Sequence, residues 1–181
     1  MEPRPPSESH AILVRWMGPQ DANNAGFVHG GLVMKMCDEA GGISAVKHSR
    51  CRVVTAAMDR MTFLEPVHLG NLVTCRASVN ATWRTSMEVG IRVEAENPRT
   101  GEIRHTSTAY LTFVALDDNG RPTEVPPLAV ESKREERRQR EAQMRRTNRL
   151  AERDEIVGER DARGETQLGG VPGPSPSSGD V

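Results

Sequence analysis

The sequence has few of the residues that build cross-linked, metal-bound or membrane-embedded proteins. Its three cysteines, Cys37, Cys51 and Cys75, are odd in number and share no CxxC or Cys/His spacing. A disulfide framework or a zinc site is therefore not expected. No apolar run reaches the ~18–20 residues of a membrane span, and the start MEPRPPSESH lacks an apolar signal segment. These absences predict a cytoplasmic protein without a metal.

Aromatic residues and excess charge are also scarce. Aromatics make up 3% of the chain, and the net charge is −1, so bulk electrostatics gives no reason to expect a nucleic-acid or membrane partner. Hydrophobic residues, at 36%, are below the usual share. The deficit lies beyond about Glu131, where apolar residues become rare. The remaining core-forming part can fold as one domain but is short for a large internal pocket.

Composition divides the chain into four parts. Residues 1–9 contain three prolines and are expected to be flexible. Residues 10–128 alternate apolar and polar stretches as a globular domain does. Residues 129–165 carry many opposite charges at helical spacing, which predicts a solvated, partly helical tail, with a partner-binding or nucleic-acid role as the alternative. Residues 166–181 are rich in Gly, Pro and Ser, and disorder is expected there.

The domain at 10–128 is predicted to be α+β. A first strand, a turn-rich loop and a long helix are followed by four strands with short connections, which require antiparallel neighbours. The last connection, NPRTG at 97–101, is typical of a hairpin turn. The predicted bounds are strands at 10–17, 52–63, 71–83, 86–97 and 103–116, with the loop at 18–28 and the helix at 29–48.

The predicted helix combines a wide apolar surface with residues that are unfavourable in such a place. Its apolar positions occupy a broad arc, so more than one sheet face must cover it: either the sheet wraps around it or a second subunit packs on it. Asp38 lies at the edge of this arc, where a charge needs partners. Gly41 and Gly42, each costing ~1 kcal/mol relative to alanine, indicate that something approaches the helix closely; a tightly packed second helix or a chance pair of glycines is the alternative. The arc consists of Leu32, Val33, Met36, Cys37, Ala40 and Ile43.

The helix opens with His29-Gly30-Gly31. Backbone N–H groups at a helix start that no side chain covers favour an anion or a polarised carbonyl. The alternative is a simple flexible junction between loop and helix.

Three stretches together resemble one known family. They are DANNAGFVHGGLVMKMCDEAGG (21–42), TFLEPVHLGN (62–71) and EVPPL (124–128). In their order and spacing they resemble the hotdog-fold acyl-CoA thioesterases of the brain acyl-CoA hydrolase type, whose bacterial members have a single domain. The resemblance covers about 10–128 and implies a long central helix wrapped by a curved antiparallel sheet, which agrees with the α+β prediction.

The resemblance also implies the catalytic residues. Asn23 and Asp38 match the catalytic Asn and Asp of the family, and a symmetric dimer would combine Asn23 of one subunit with Asp38 of its neighbour. Asp38 would act as general base or nucleophile, and Asn23 would hold the water. The N–H groups of Gly30 and Gly31 would receive the oxyanion, with His29 in a supporting role. The alternatives are a turn role for Asn23, a structural ion pair of Asp38 with Lys35 or a strand arginine, and a capping or core role for His29.

Coenzyme A would require basic groups near the mouth of the site. Arg84 and Ser86, in the turn after the strand at 71–83, are the predicted contacts, with Arg60 and Arg99 as further candidates. An apolar wall for the acyl chain is expected near Met34, Met58, Met61 and Phe63. No cofactor is required, since CoA belongs to substrate and product.

For the assembly, the resemblance implies a homodimer as the minimal unit and a hexamer, a trimer of dimers, as the expected form. The predicted function is hydrolysis of fatty acyl-CoA to free acid and CoA. The alternative is a hotdog protein without chemistry that binds acyl-CoA or acts as a regulator.

Overall fold

A computed structural model describes residues 1–59 and 61–162 of the chain. Two compact units are present, residues 1–143 and residues 144 onward. The first unit holds six antiparallel strands and a long helix, α1 (Gly30–Ser49). The strands are β1 (Ala11–Trp16), β2 (Arg52–Met58), β3 (Thr62–Phe63), β4 (Leu72–Thr82), β5 (Ser86–Asn97) and β6 (Glu102–Leu116).

The strands form one antiparallel sheet in the order β1-β4-β5-β6-β2, and β3 also pairs with β6. Short turns join β4, β5 and β6 because these strands are neighbours. The predicted hairpin at 97–101 is present, with the N–H of Gly101 bonded to the carbonyl of Asn97 and Gly101 at a φ of 74°. Strands β1 and β2 are left at the two ends of the strand order.

Helix α1 lies against the inner face of this sheet. Its inward residues are completely or nearly completely buried against alternate residues of β4, β5 and β6, as a period-two pattern requires. The core includes Val33, Met36, Cys37, Ala40, Val73, Cys75, Met87, Val89, Ile91, Leu111 and Phe113. The hotdog architecture, a curled sheet around one long helix, is therefore confirmed.

The wide apolar surface of α1 is only partly covered within one chain. Met34, Ile43 and Val46 each expose more than a third of their surface. The sheet wraps only one side of the helix, so the side carrying these residues is left open.

The N-terminal segment differs from the flexible chain that was expected. Pro6–Ser9 forms a 3-10 helix, and Ser9 is fully buried, with its hydroxyl bonded to the N–H of Val79. Arg4 bonds through its backbone to Pro127 and Ala129 and donates from its side chain to the carbonyl of His48. The prolines fix the backbone of this segment, which packs on the end of α1.

Two other segments refine the sequence interpretation. The stretch 52–63 was predicted as one strand, but it is divided into β2 and β3, and β2 carries an irregularity between Thr55 and Ala57. The charged segment contains a second helix, α2 (Lys133–Ala162). The predicted disordered end at 166–181 lies outside the described residues, as does Arg60.

Candidate active site

The loop before α1 is an ordered hairpin. The N–H of His29 bonds to the carbonyl of Asp21, and the N–H of Asn23 bonds to the carbonyl of Phe27. Asp21 is buried, and its carboxylate accepts from Arg15 at 2.7 Å and from the N–H of Gly18 at 2.8 Å. The carboxylate of Asp21 therefore holds the base of the loop, a role that the sequence does not predict.

Asn23 lies within this hairpin and shapes it. Its side-chain oxygen accepts from the N–H of Ala25 at 2.9 Å and from that of Phe27 at 3.1 Å. The turn role considered from the sequence is thus real. Among the described residues the Nδ2 group has no hydrogen-bond partner, so the amide keeps two N–H donors for a ligand or water.

Of the N–H groups of Gly30 and Gly31 at the start of α1, only that of Gly30 is without a partner among the described residues. The Nδ1 atom of His29 accepts from the N–H of Gly31 at 2.9 Å, which makes His29 the N-cap of the helix. The sequence prediction that both glycine N–H groups are bare is therefore corrected: Gly31 is capped in this structure. Within the described part of the chain the N–H of Gly30 has no partner, and a Cβ atom at Gly30 would lie 3.4 Å from the ring of Phe63.

Asp38 lies on the third turn of α1 and is half-buried. Its Oδ1 atom accepts from the hydroxyl of Thr55, on β2, at 2.5 Å. Lys35 pairs instead with Glu39, at 3.2 Å, so the ion pair considered for Asp38 is not formed. Thr55 was missed from the sequence because nothing in the local pattern of β2 marks its contact with the helix.

A groove of about 650 Å³ runs from Asp38 toward the C-terminal end of α1. One wall is the helix face with Gly42, Ile43 and Val46, and the other is the sheet with Val53 and Phe113. The polar lining comes from Asp38, Thr55, Glu39 and Lys47. The methionines and Phe63 that the sequence suggested as the acyl wall are not among the lining residues.

The two glycines after Asp38 have different surroundings. A Cβ atom at Gly41 would lie 2.9 Å from two ring carbons of Phe113, so this glycine lets helix and sheet approach closely. At Gly42 the nearest such atom is 3.8 Å away, and this residue lines the groove. The predicted close approach is therefore found at Gly41, where the sheet packs against the helix. Gly42 instead borders the open space of the groove.

Cys37, next to Asp38, is turned into the core and fully buried. The hydrogen bond with Cys75, reinforced by burial, raises the pKa of the Cys37 thiol. A thiol that stays protonated is a poor nucleophile, so Cys37 does not compete with Asp38 for a chemical role.

The candidate residues of a single chain do not converge on one point. Asp38 lies eight residues beyond Gly30 along the helix, which corresponds to about 12 Å at 1.5 Å per residue. Neither Asn23 nor Gly30 lines the groove beside Asp38. One thioester carbonyl could not contact both groups within one chain.

The predicted CoA contacts lie elsewhere. Arg84 is exposed at the β4–β5 turn, beside a cavity of about 330 Å³ that includes Trp83 and Glu124. Ser86 begins β5, one residue before the buried Met87, so strand alternation directs it away from α1. Neither residue belongs to the groove beside Asp38 in the same chain.

Comparison with known proteins identifies the family. The thioesterase superfamily profile matches residues 25–102. An uncharacterized acyl-CoA thioester hydrolase of Bacillus subtilis is 38% identical over 128 residues, which cover 71% of this chain and 74% of that protein. The chain belongs to the thioesterase superfamily. The rat cytosolic acyl coenzyme A thioester hydrolase is 34% identical over 139 residues, covering 76% of this chain, but the match spans only 36% of the rat protein.

Solved structures agree in fold. An acyl-CoA hydrolase of Staphylococcus aureus, in complex with butyryl coenzyme A, coenzyme A and coenzyme A disulfide, superposes with a TM-score of 0.80 at 33% identity, covering 89% of this chain and 98% of that chain. The same enzyme has been solved with an asparagine, an aspartate or a threonine replaced by alanine. An apo-hexameric acyl-CoA thioesterase has a TM-score of 0.81 at 35% identity, covering 84% of this chain and 97% of that chain.

In the described part of the chain, no helix is both long and apolar enough to cross a membrane.

Proposed function

We propose that this protein hydrolyses acyl-CoA thioesters to a free acid and CoA. The observation that carries the proposal is the carboxylate of Asp38, held by the hydroxyl of Thr55 at the end of an apolar groove. A thioester needs an activated oxygen nucleophile at its carbonyl and an apolar channel for its acyl chain. The groove supplies both in one place.

The chemistry assigned to Asp38 follows from its hydrogen bond. Thr55 donates to Oδ1, which fixes the carboxylate and leaves Oδ2 to accept a proton from water. The resulting oxygen nucleophile attacks the thioester carbonyl, the C–S bond breaks, and the CoA thiolate takes up the proton. Direct attack by Asp38, through an anhydride that water then hydrolyses, gives the same products.

The remaining donors would come from a neighbouring subunit. Asn23 keeps its amide N–H groups for the water or the carbonyl, and Gly30 offers its free N–H to the developing oxyanion, aided by the helix dipole. Because Gly30 lies about 12 Å from Asp38 along one helix and Asn23 does not line the groove beside Asp38, we propose a site built from two chains. A homodimer is the smallest assembly that supplies it, and the hexamer of the solved relative is the larger assembly proposed here.

The Staphylococcus aureus enzyme supports the choice of residues. Its asparagine, aspartate and threonine variants lie in the same order as Asn23, Asp38 and Thr55 and are separated by the same numbers of residues. Contacts of Arg84 and Ser86 with CoA phosphates remain a prediction, for which the groove gives no direct support.

The direct test is thiol release from acyl-CoA. The purified full chain would be incubated with a series of acyl-CoA substrates from butyryl to palmitoyl, and free CoA captured with a thiol-reactive dye. Turnover that depends on chain length is the expected result. Absence of thiol release across the whole series would overturn the proposal, and saturable acyl-CoA binding without turnover would favour the binding protein considered from the sequence.

A further inference from the structure

The first turns of α2 pack on the outer face of the sheet, opposite α1. Ser132 and Glu135 form a reciprocal cap, in which the N–H of Glu135 bonds to the Ser132 hydroxyl and the N–H of Ser132 bonds to the Glu135 carboxylate. Farther along, Ala142 is fully buried, and Trp83 donates to the side chain of Gln143 at 3.0 Å. The segment 132–143 is thus capped at its start and hydrogen-bonded at its end to Trp83, the residue that follows β4.

A cavity of about 550 Å³ lies between this helical segment and the sheet. Its size falls within the ~300–1,000 Å³ of small-molecule sites. The floor comes from outward-facing residues of β4, β5 and β6, and the roof from α2. Polar lining residues are His10, Arg76, Ser78, Asn80, Arg92, Thr108, Tyr110, Ser132, Arg134, Glu135, Arg137, Arg138 and Glu141.

The lining carries more positive charge than its own carboxylates neutralise. Glu94 binds both Arg76 and Arg92, and Glu141 pairs with Arg137 at 3.7 Å. The carboxylate of Glu135 is occupied by the backbone N–H groups of 131 and 132.

Arg134 and Arg138, one helical turn apart, have no ion-pair partner among the residues that the structure describes. Burial, and then repulsion from Arg134, lower the pKa of Arg138, while Tyr110 and Glu135 act in the opposite direction. Two guanidinium groups without a salt bridge in the described part of the chain therefore line the same cavity.

The floor contributes one hydroxyl group that is available for hydrogen bonding. Ser78 is only 9% exposed, and its buried hydroxyl has no partner in the described part of the chain. This hydroxyl can therefore donate to a ligand in the cavity without giving up another hydrogen bond. Asn80 is also buried and donates from its Nδ2 group to Glu88 at 3.1 Å.

We infer that this cavity is a second binding site, which takes a phosphate-type anion with at least two negative charges. Arg134 and Arg138 would bind its oxygens from the helix, since guanidinium groups match phosphate geometry. Ser78 would donate its hydroxyl from the sheet. The site is separate from the groove at Asp38, because it lies on the opposite face of the sheet, and it does not rest on the hydrolase proposal.

Calorimetric titration of the full chain with inorganic pyrophosphate tests the inference. Saturable binding of one pyrophosphate per chain is expected, weakening as salt is added. Arg138→Gln and Arg134→Gln should each weaken binding roughly ten- to a hundredfold, the effect of losing one hydrogen bond to a charged group. Arg140→Gln is the matched control, since it removes an exposed arginine of the same helix that does not line the cavity.

A parallel titration with ADP, a diphosphate ester, identifies the source of the anion. Tighter binding of ADP than of pyrophosphate would assign the site to an esterified ligand, and the reverse order to the free anion. The inference is overturned if neither probe binds the wild-type chain, or if Arg140→Gln weakens binding as much as Arg138→Gln does. Thermal unfolding of each variant shows whether α2 is still folded on the sheet.

Discussion

Asp38 and Glu39 are adjacent carboxylates with different surroundings. Asp38 is half-buried and bonded to Thr55, whereas Glu39 is exposed at the rim of the groove and paired with Lys35. A general base has to be held in a defined direction toward the water it activates. Asp38 meets this requirement, and Glu39 does not.

Replacing Asp38 with Asn should lower kcat by ~10²–10⁴-fold, the usual contribution of a general base. The KM should change little, because the groove keeps its shape. Thiol release from a medium-chain acyl-CoA measures both constants. Glu39→Gln is the matched control and should keep kcat near the wild-type value. Equal losses in the two variants would mean that the charge of this region, not Asp38, supports turnover.

Thr55→Val removes the hydroxyl that bonds to Asp38 but preserves the branched shape of the side chain. A hydrogen bond to a charged group is worth ~1.5–3 kcal/mol, so kcat should fall roughly ten- to a hundredfold. Thr55→Ser restores the hydroxyl and should recover most of the rate. If the serine variant is as slow as the valine variant, packing rather than hydrogen bonding explains the effect.

At the level of elements, contact between α1 and the sheet depends on Gly41. Gly41→Ala places a methyl group against the ring of Phe113, and such overpacking costs ~1–3 kcal/mol. Gly42→Ala meets no atom closer than 3.8 Å and should be neutral or stabilising by up to ~1 kcal/mol through helix propensity. Urea unfolding of both variants measures the difference. Similar destabilisation by the two substitutions would contradict this assignment.

A buried histidine, His48, lies at the C-terminal end of α1. His48 is fully buried, and its Nε2 atom lies 3.0 Å from the carbonyl of Pro126. Burial, and to a smaller extent the charge of Arg4, lower the pKa of His48 below 6.5, while the Pro126 carbonyl and Glu8 act in the opposite direction.

As the pH falls below about 6.5, His48 should therefore be protonated in the unfolded chain but stay neutral in the folded chain, which favours unfolding. The free energy of unfolding should decrease between pH 7.5 and pH 5.5, with no contribution from His48 above that range. His48→Gln keeps a side-chain donor but cannot titrate there, so its Tm should depend less on pH. An identical pH dependence of Tm for wild type and variant would show that His48 is not responsible.

The local spacing of apolar residues predicts most of the helices and strands. The alternation in 86–97 predicts β5 with its observed bounds, and the helix predicted at 29–48 is observed at Gly30–Ser49. Local patterns failed where a contact joins distant parts of the chain. The bond between Thr55 and Asp38 and the packing of residues 4–9 on the end of α1 both depend on the fold. Residues 1–9 are predicted to be flexible from composition alone, because the contacts that order them come from distant parts of the chain.

At the scale of the whole molecule, one chain leaves several apolar surfaces open. Met34, Ile43 and Val46 on α1, and Trp16 on β1, remain exposed, and β1 and β2 stand at the ends of the strand order. Exposed apolar patches of this kind mark interaction surfaces. They are consistent with the proposed dimer, in which each site takes Asp38 from one chain and Asn23 from the other.

Complementation between two inactive variants tests this two-chain site most directly. Asn23→Ala and Asp38→Asn would be co-expressed in equal amounts with different affinity tags, and thiol release measured on the mixed population. Half of the dimers should then contain one variant of each kind, with one intact site of two. The mixture should recover about a quarter of the wild-type activity, although each variant alone is nearly inactive. A mixture as inactive as its components, with mixed dimers shown by tandem purification, would contradict a site shared between subunits.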